Sequence, residues 1–189
     1  MATIAAAGLV VSAYLTATKL AGGSALFCEA GSGCDIVQAS RYALFLGIPT
    51  AAWGVVLYAV VAALALAGFT AQRWLAAFVL AVAAVAFSAY LGWLQAMVLR
   101  AICPWCALDA VVSLVLLGAL LWRRPETRGR RSPIRPQRLA WLGPLVAAVT
   151  LAVAIGVHVA EPPGAAPGYR EALARHLADT GAIFYGAYW

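Results

Sequence analysis

Long apolar runs broken by short polar stretches set the pattern of this chain. They cover residues 4–20, 49–69, 74–99, 104–122 and 139–160. A helix needs roughly 20 apolar residues to span the hydrocarbon of a bilayer, so each run predicts a transmembrane helix. The third is the longest and predicts a helix that tilts or emerges beyond the bilayer. The first has neither a basic segment ahead of it nor a small-residue cleavage site, and it reads as a retained span rather than a signal peptide.

Composition strengthens that picture. Of the 189 residues, 65% are hydrophobic and 11% charged, whereas soluble domains carry about 25% charged residues. Mean hydropathy is +0.90. The expected fold class is an all-α integral membrane protein that meets the lipid bilayer over most of its surface.

Charge gives the orientation. Seven of the 13 Lys and Arg residues fall within residues 123–138, RRPETRGRRSPIRPQR, with Glu126 as the only acid. A short Arg-rich loop between two spans stays cytoplasmic, and it can lie on anionic lipid. The loop has no interleaved aromatics and no recognisable binding motif, so it predicts no nucleic-acid partner. Alternation then places the N-terminus and Arg73 on the cytoplasmic side. The loop after the first span, the start of the fourth and the C-terminus all fall outside.

Four cysteines stand out against this background, in two pairs. Cys28 and Cys34 bracket a glycine-bearing loop, CEAGSGC, and Cys103 and Cys106 form CPWC at the head of the fourth span. The deduced topology puts both pairs on the same extracytoplasmic side, where disulfides persist. Cys103 and Cys106 lie at i and i+3 of a helix with Pro104 at its first position. The helix N-terminus lowers a thiol's pKa and favours thiolate. Exchange chemistry needs a thiolate and a structural staple does not. A bridge across two residues also stabilises little through loop entropy.

Two alternatives stand beside exchange chemistry. The pairs could be structural staples, or they could supply four thiolates to zinc. Against zinc, five residues separate Cys28 from Cys34, and the two histidines, His158 and His176, lie far off in sequence. No metal site is expected.

The ordered run of motifs is similar to the vitamin K epoxide reductase family, its bacterial branch in particular. The resemblance rests on Cys28-x5-Cys34, on Cys34-Asp35-Ile-Val-Gln-Ala-Ser40-Arg-Tyr-Ala, on Gly47-Ile48-Pro49, on Trp53-Gly54 and on Cys103-Pro-Trp-Cys106. It covers residues 1 to about 122. It implies a four-helix bundle (1–122) holding a quinone, ubiquinone or menaquinone, beside the CxxC pair. A short extracytoplasmic helix at 35–43 caps that bundle, and a fifth transmembrane helix at 139–160 follows the 123–138 loop. The location implied is the bacterial inner membrane.

The same resemblance assigns roles. Cys28 takes electrons from a thioredoxin-like partner, Cys34 passes them to Cys103, and Cys106 attacks the quinone ring as thiolate. Reclosure of the Cys103–Cys106 bond then releases hydroquinone. Gly31 and Gly33 are expected to let the loop move between the two pairs. The expected activity is a quinone-dependent, disulfide-generating thiol oxidoreductase serving exported proteins. Epoxide reduction of the animal type, or structural disulfides without catalysis, are the alternatives.

Motif offsets also suggest a quinone pocket. Trp53, Tyr58, Tyr42 and Trp105 are candidate walls, and Ser40 and Thr50 candidate polar contacts. Interfacial placement or bundle packing would explain the same aromatics. In animal members an Asn and a Tyr contact vitamin K where this chain has Thr50 and Ala110, which favours simple quinone reduction. Asp109, three residues beyond Cys106, is a candidate proton carrier, because acids within a span are functional candidates by default.

After the fifth span, EPPGAAPG reads as a linker, followed by a short helix striped by Tyr169, Leu173 and Leu177. The closing AIFYGAYW resembles the strand that leads into a fused thioredoxin-like domain in bacterial relatives. Residues 161–189 are therefore expected to be a linker and the start of such a domain, cut before its CxxC. A natural tail ending in membrane-surface aromatics is the alternative.

Overall fold

The computed structural model describes residues 1–21, 25–26, 28–29, 31–123, 136–160, 176–177 and 179–181. Most of the Arg-rich loop and most of the segment expected at 161–189 lie outside the described residues.

The elements in chain order are α1 (Ala2–Leu20), α2 (Gly33–Ala39), a 3-10 turn (Arg41–Ala43), β1 (Leu44–Phe45), β2 (Ile48–Pro49), α3 (Thr50–Leu66), α4 (Ala71–Trp93), a π-helical segment (Leu94–Leu99), α5 (Pro104–Trp122) and α6 (Pro136–Ala160). Among the described residues, four stretches are apolar and long enough to cross a membrane: Ala2–Leu20, Ala71–Leu99, Pro104–Trp122 and Leu139–Ala160. Helix α3 is apolar but has 17 residues, at the short limit for a span. The chain is thus an all-α, multi-pass membrane protein.

The expected Gly47-Ile48-Pro49 turn is a miniature hairpin. β1 pairs antiparallel with β2, Phe45 opposite Ile48, across Leu46 (φ 55°) and Gly47 (φ 74°). Positive φ at both central residues is the geometry that two-residue hairpins favour. The hairpin delivers the chain from α2 into α3.

Small residues decide how the helices pack. A Cβ added to Gly8 of α1 would sit 2.5 Å from the Tyr58 ring, and one on Gly54 of α3 would sit 2.6 Å from Ser12 Oγ. Such residues let membrane helices approach closely. Trp74 ties α4 to α5 at the other end of the bundle: its ring stacks on Phe78 at 5.5 Å and its Nε1 donates to Leu120 O at 3.1 Å. Arg73 Nη1 donates to Ala67 O at 2.6 Å and Gly68 O at 3.2 Å, which satisfies carbonyls left open at the end of α3.

Two buried clusters result. Ala5, Tyr58, Val61, Trp74, Phe78, Leu116 and Leu120 form the larger. Leu15, Val37 and Ala101 gather round Cys28, Cys34 and Cys103 in the other. The cysteines are therefore part of the packing at one end of the bundle.

Candidate active site

The outer pair is set by a local capping arrangement. Ser32 Oγ accepts from Asp35 N–H at 3.3 Å, and Asp35 Oδ2 accepts from Gly31 N–H at 2.9 Å. These reciprocal bonds start α2 one residue before Cys34. Cys34 is disulfide-bonded to Cys28, with the Cα atoms 5.2 Å apart. Gly31 holds a left-handed conformation (φ +79°) in open space. Gly33 does something other than loosen the loop: a Cβ there would lie 2.7 Å from Ile102 O. Its missing side chain lets α2 sit directly on the strand of chain entering the inner pair.

The inner pair begins α5. Cys103 is the N-cap, Pro104 follows it, and Cys106 lies in the first turn. Both cysteines are free thiols. Cys103 Sγ stands 3.7 Å from Cys34 Sγ, so two helix N-termini meet through their sulfurs. Cys28, Cys34 and Cys103 are 5%, 2% and 0% exposed. At the N-cap, ahead of the span, the Cys103 thiol is drawn down from the ordinary thiol range to about 6, chiefly by the Cys106 thiol hydrogen-bonded to it and against the opposing effect of burial. The N–H groups of Cys106 and Trp105 act in the same downward direction.

Cys106 opens on a cavity of about 660 Å³ between the helices. Thr50, Trp53, Tyr58, Asp109 and Ala110 line it, and so do Val149, Thr150 and Val153 of α6. Of the residues expected at a quinone pocket, the structure brings Thr50, Trp53 and Tyr58 to this wall. Tyr42 instead borders a side pocket of about 30 Å³, together with Thr50 and Cys106.

Ser40 and Trp105 line neither space, and both hold backbone. Ser40 Oγ donates to Val37 O at 2.7 Å. Trp105 Nε1 donates to Leu26 O at 2.8 Å, and its ring lies 5.2 Å from that of Tyr14. Tyr14 OH in turn accepts from Leu26 N–H at 2.7 Å. Trp105 thereby pins the loop of the outer pair to the helix of the inner pair. Asp109 does reach the cavity, where Tyr58 OH donates to its Oδ1 at 3.0 Å.

Some neighbours escaped the sequence reading. Gln95 Oε1 accepts from Cys103 N–H at 2.9 Å; a lone amide within a long apolar run was the signal for it. Lys19 Nζ donates to Gln38 O, which joins the end of α1 to α2. His158 of α6 is 3% exposed, with Nδ1 3.2 Å from Tyr90 OH and its ring edge-on to Tyr42 at 5.2 Å.

Fold and site together define a multi-pass membrane protein whose two cysteine pairs meet at the mouth of an apolar cavity. The sequence model of the vitamin K epoxide reductase family matches residues 1–121. The chain belongs to that family, and membership implies oxidoreductase activity, on thiols and with quinones in general. Helix α6 lies beyond the matched residues, yet it supplies part of the cavity wall.

Proposed function

We propose that the chain is a thiol:quinone oxidoreductase that oxidises a thioredoxin-like partner and passes the electrons to ubiquinone or menaquinone. In a bacterial inner membrane, with residues 123–138 cytoplasmic and both cysteine pairs outside, it would sustain disulfide formation in exported proteins. The observation that carries this reading is the contact of Cys34 Sγ and Cys103 Sγ at 3.7 Å, with Cys106 on the adjoining cavity.

The cavity fits a quinone. Its volume of about 660 Å³ falls in the range of small-molecule sites, and its walls are mostly aliphatic and aromatic with a few polar groups. A bound quinone supplies a sink for two electrons and two protons. Thr50, Trp53 and Tyr58 would hold its ring beside Cys106.

The thiol steps balance in pairs. A partner dithiol opens the Cys28–Cys34 bond and leaves as a disulfide. Cys34 thiolate attacks Cys103 of a closed Cys103–Cys106 bond and expels Cys106 as thiolate. Cys28 then attacks Cys34, which restores the outer disulfide and frees Cys103. The closed Cys28–Cys34 bond beside free Cys103 and Cys106 corresponds to this stage, with both electrons on the inner pair. Reclosing Cys103–Cys106 delivers them to the cavity. Ala110 on the cavity wall, where animal relatives carry a Tyr, favours quinone over epoxide as substrate.

The test is stoichiometric. Reduced thioredoxin-like partner and a short-chain ubiquinone or menaquinone are added to the purified protein in nanodiscs, and quinone absorbance is followed. Quinone loss should equal partner oxidation and vanish in Cys106→Ala. No quinone loss, with both pairs resistant to reductant, would make the cysteines structural.

A further inference from the structure

Helix α4 widens before it ends. From Leu94 to Leu99 the backbone is π-helical, and it stops at Arg100 in the left-handed region (φ 50°), which residues other than glycine seldom occupy. Such widened turns recur at functional sites. Here the distortion sets the position of Gln95.

The Gln95 carbonyl accepts from Ala101 N–H at 3.0 Å, and its side-chain Oε1 accepts from Cys103 N–H at 2.9 Å. Both donors belong to the segment leading into α5. A backbone N–H can be met only by the amide oxygen, so Cys103 fixes which way the amide faces. The side chain is 8% exposed, yet it borders both the large cavity and the side pocket next to Cys106.

Four other donors on the cavity wall are occupied. Thr50 Oγ1 donates to Ala43 O at 3.3 Å, Trp53 Nε1 to Phe45 O at 3.2 Å, and Tyr58 OH to Asp109 Oδ1 at 3.0 Å. Thr150 Oγ1 donates to Val146 O at 2.8 Å. The Gln95 NH2 carries two N–H groups beside the Cys106 thiol; one can serve that sulfur, and the other is left for an acceptor in the cavity.

The geometry points to Gln95 as a substrate-binding residue: its side-chain N–H donates to a carbonyl oxygen of the quinone bound beside Cys106. This rests on the quinone reading above. One amide would then cap the N-terminus of the cysteine helix through its oxygen and orient the substrate through its nitrogen, so thiol and ring are registered by the same group.

Binding of ubiquinone-1, read as quenching of tryptophan fluorescence in full-length protein in nanodiscs, separates the outcomes. Gln95→Met removes donor and cap. Gln95→Glu keeps an oxygen for Cys103 N–H, loses the donor when ionised and regains one when protonated. Loss of one neutral hydrogen bond corresponds to a rise in Kd of about five- to tenfold. That rise is expected for Gln95→Met at any pH and for Gln95→Glu at pH 8, with recovery of the Glu variant at pH 5 and a flat wild-type profile. Wild-type Kd in Gln95→Met, or in Gln95→Glu at pH 8, would overturn the assignment. If the wild type neither binds nor reduces any quinone, the proposed function itself fails.

Discussion

Cys34 Sγ and Cys103 Sγ lie 3.7 Å apart although 69 positions separate them in the chain. The contact comes from helix geometry: each cysteine occupies the start of a helix, and Gly33 lets those starts touch. A Cys28→Ser/Cys106→Ser protein keeps only these two thiols. Mild oxidation should join them within the monomer, and mass spectrometry should recover the linked peptide in high yield. Recovery of both thiols unmodified would refute the proposed hand-over.

Gly33→Ala tests the approach without changing a thiol. The new Cβ would fall 2.7 Å from Ile102 O, so α2 must retreat from the inner pair. Displacements of about 1 Å cost exchange-type reactions on the order of a hundredfold. Partner-dependent quinone reduction should fall by that order while thermal unfolding moves far less. Wild-type turnover would show that α2 need not touch Ile102.

The acidity of Cys103 sets a pH dependence. Thiolate is the attacking form, and this thiol ionises near 6. Below that pH the protonated form dominates and reclosure of the Cys103–Cys106 bond, the step in which Cys103 attacks, slows; above it the rate levels off. Acid-quenched alkylation from pH 4.5 to 8 should trace a rise centred near 6. A rise centred above 8 would point to an ordinary thiol.

Tyr58 and Asp109 offer a route for protons. Both line the cavity and are joined by a 3.0 Å hydrogen bond, and Asp109 lies one turn beyond Cys106. A positioned acid or base contributes about a hundredfold or more. Asp109→Asn should reduce turnover by that order and alter its pH profile, with quinone affinity little changed. Unchanged turnover across pH removes Asp109 from the reaction.

His158 joins α6 to the rest of the bundle. Its Nε2 has no partner among the described residues, while Tyr90 OH meets Nδ1 at 3.2 Å. Tyr90→Phe leaves the imidazole with neither contact, which costs about 1–3 kcal/mol. Thermal melts in detergent should show that loss, and His158→Phe should recover part of it by replacing the polar ring with an apolar one.

Much of this was legible in the sequence, for physical reasons. Apolar runs of membrane length announce helices, and CPWC announces a thiol pair at a helix start. Motif offsets placed Thr50, Trp53 and Tyr58 on the cavity because they follow Pro49 along one helix, where spacing fixes facing. Trp105 defeated the same reasoning: it points away from Cys106 on the same turn and spends its N–H on Leu26 O. The π-helical segment was illegible, since a shift in backbone hydrogen bonding leaves no mark in hydrophobic period. Without that shift the role of Gln95 could not be read.

Three of the four cysteines are at most 5% exposed, and the fourth faces an apolar cavity. Small water-borne thiols and peroxides therefore meet almost no cysteine sulfur to react with. On the proposed route, electrons enter where a docked protein opens the Cys28–Cys34 bond and leave to a molecule that dissolves in lipid. On that route the chain is insulated like a wire, with packing as the barrier to short circuits with the surrounding thiol pool.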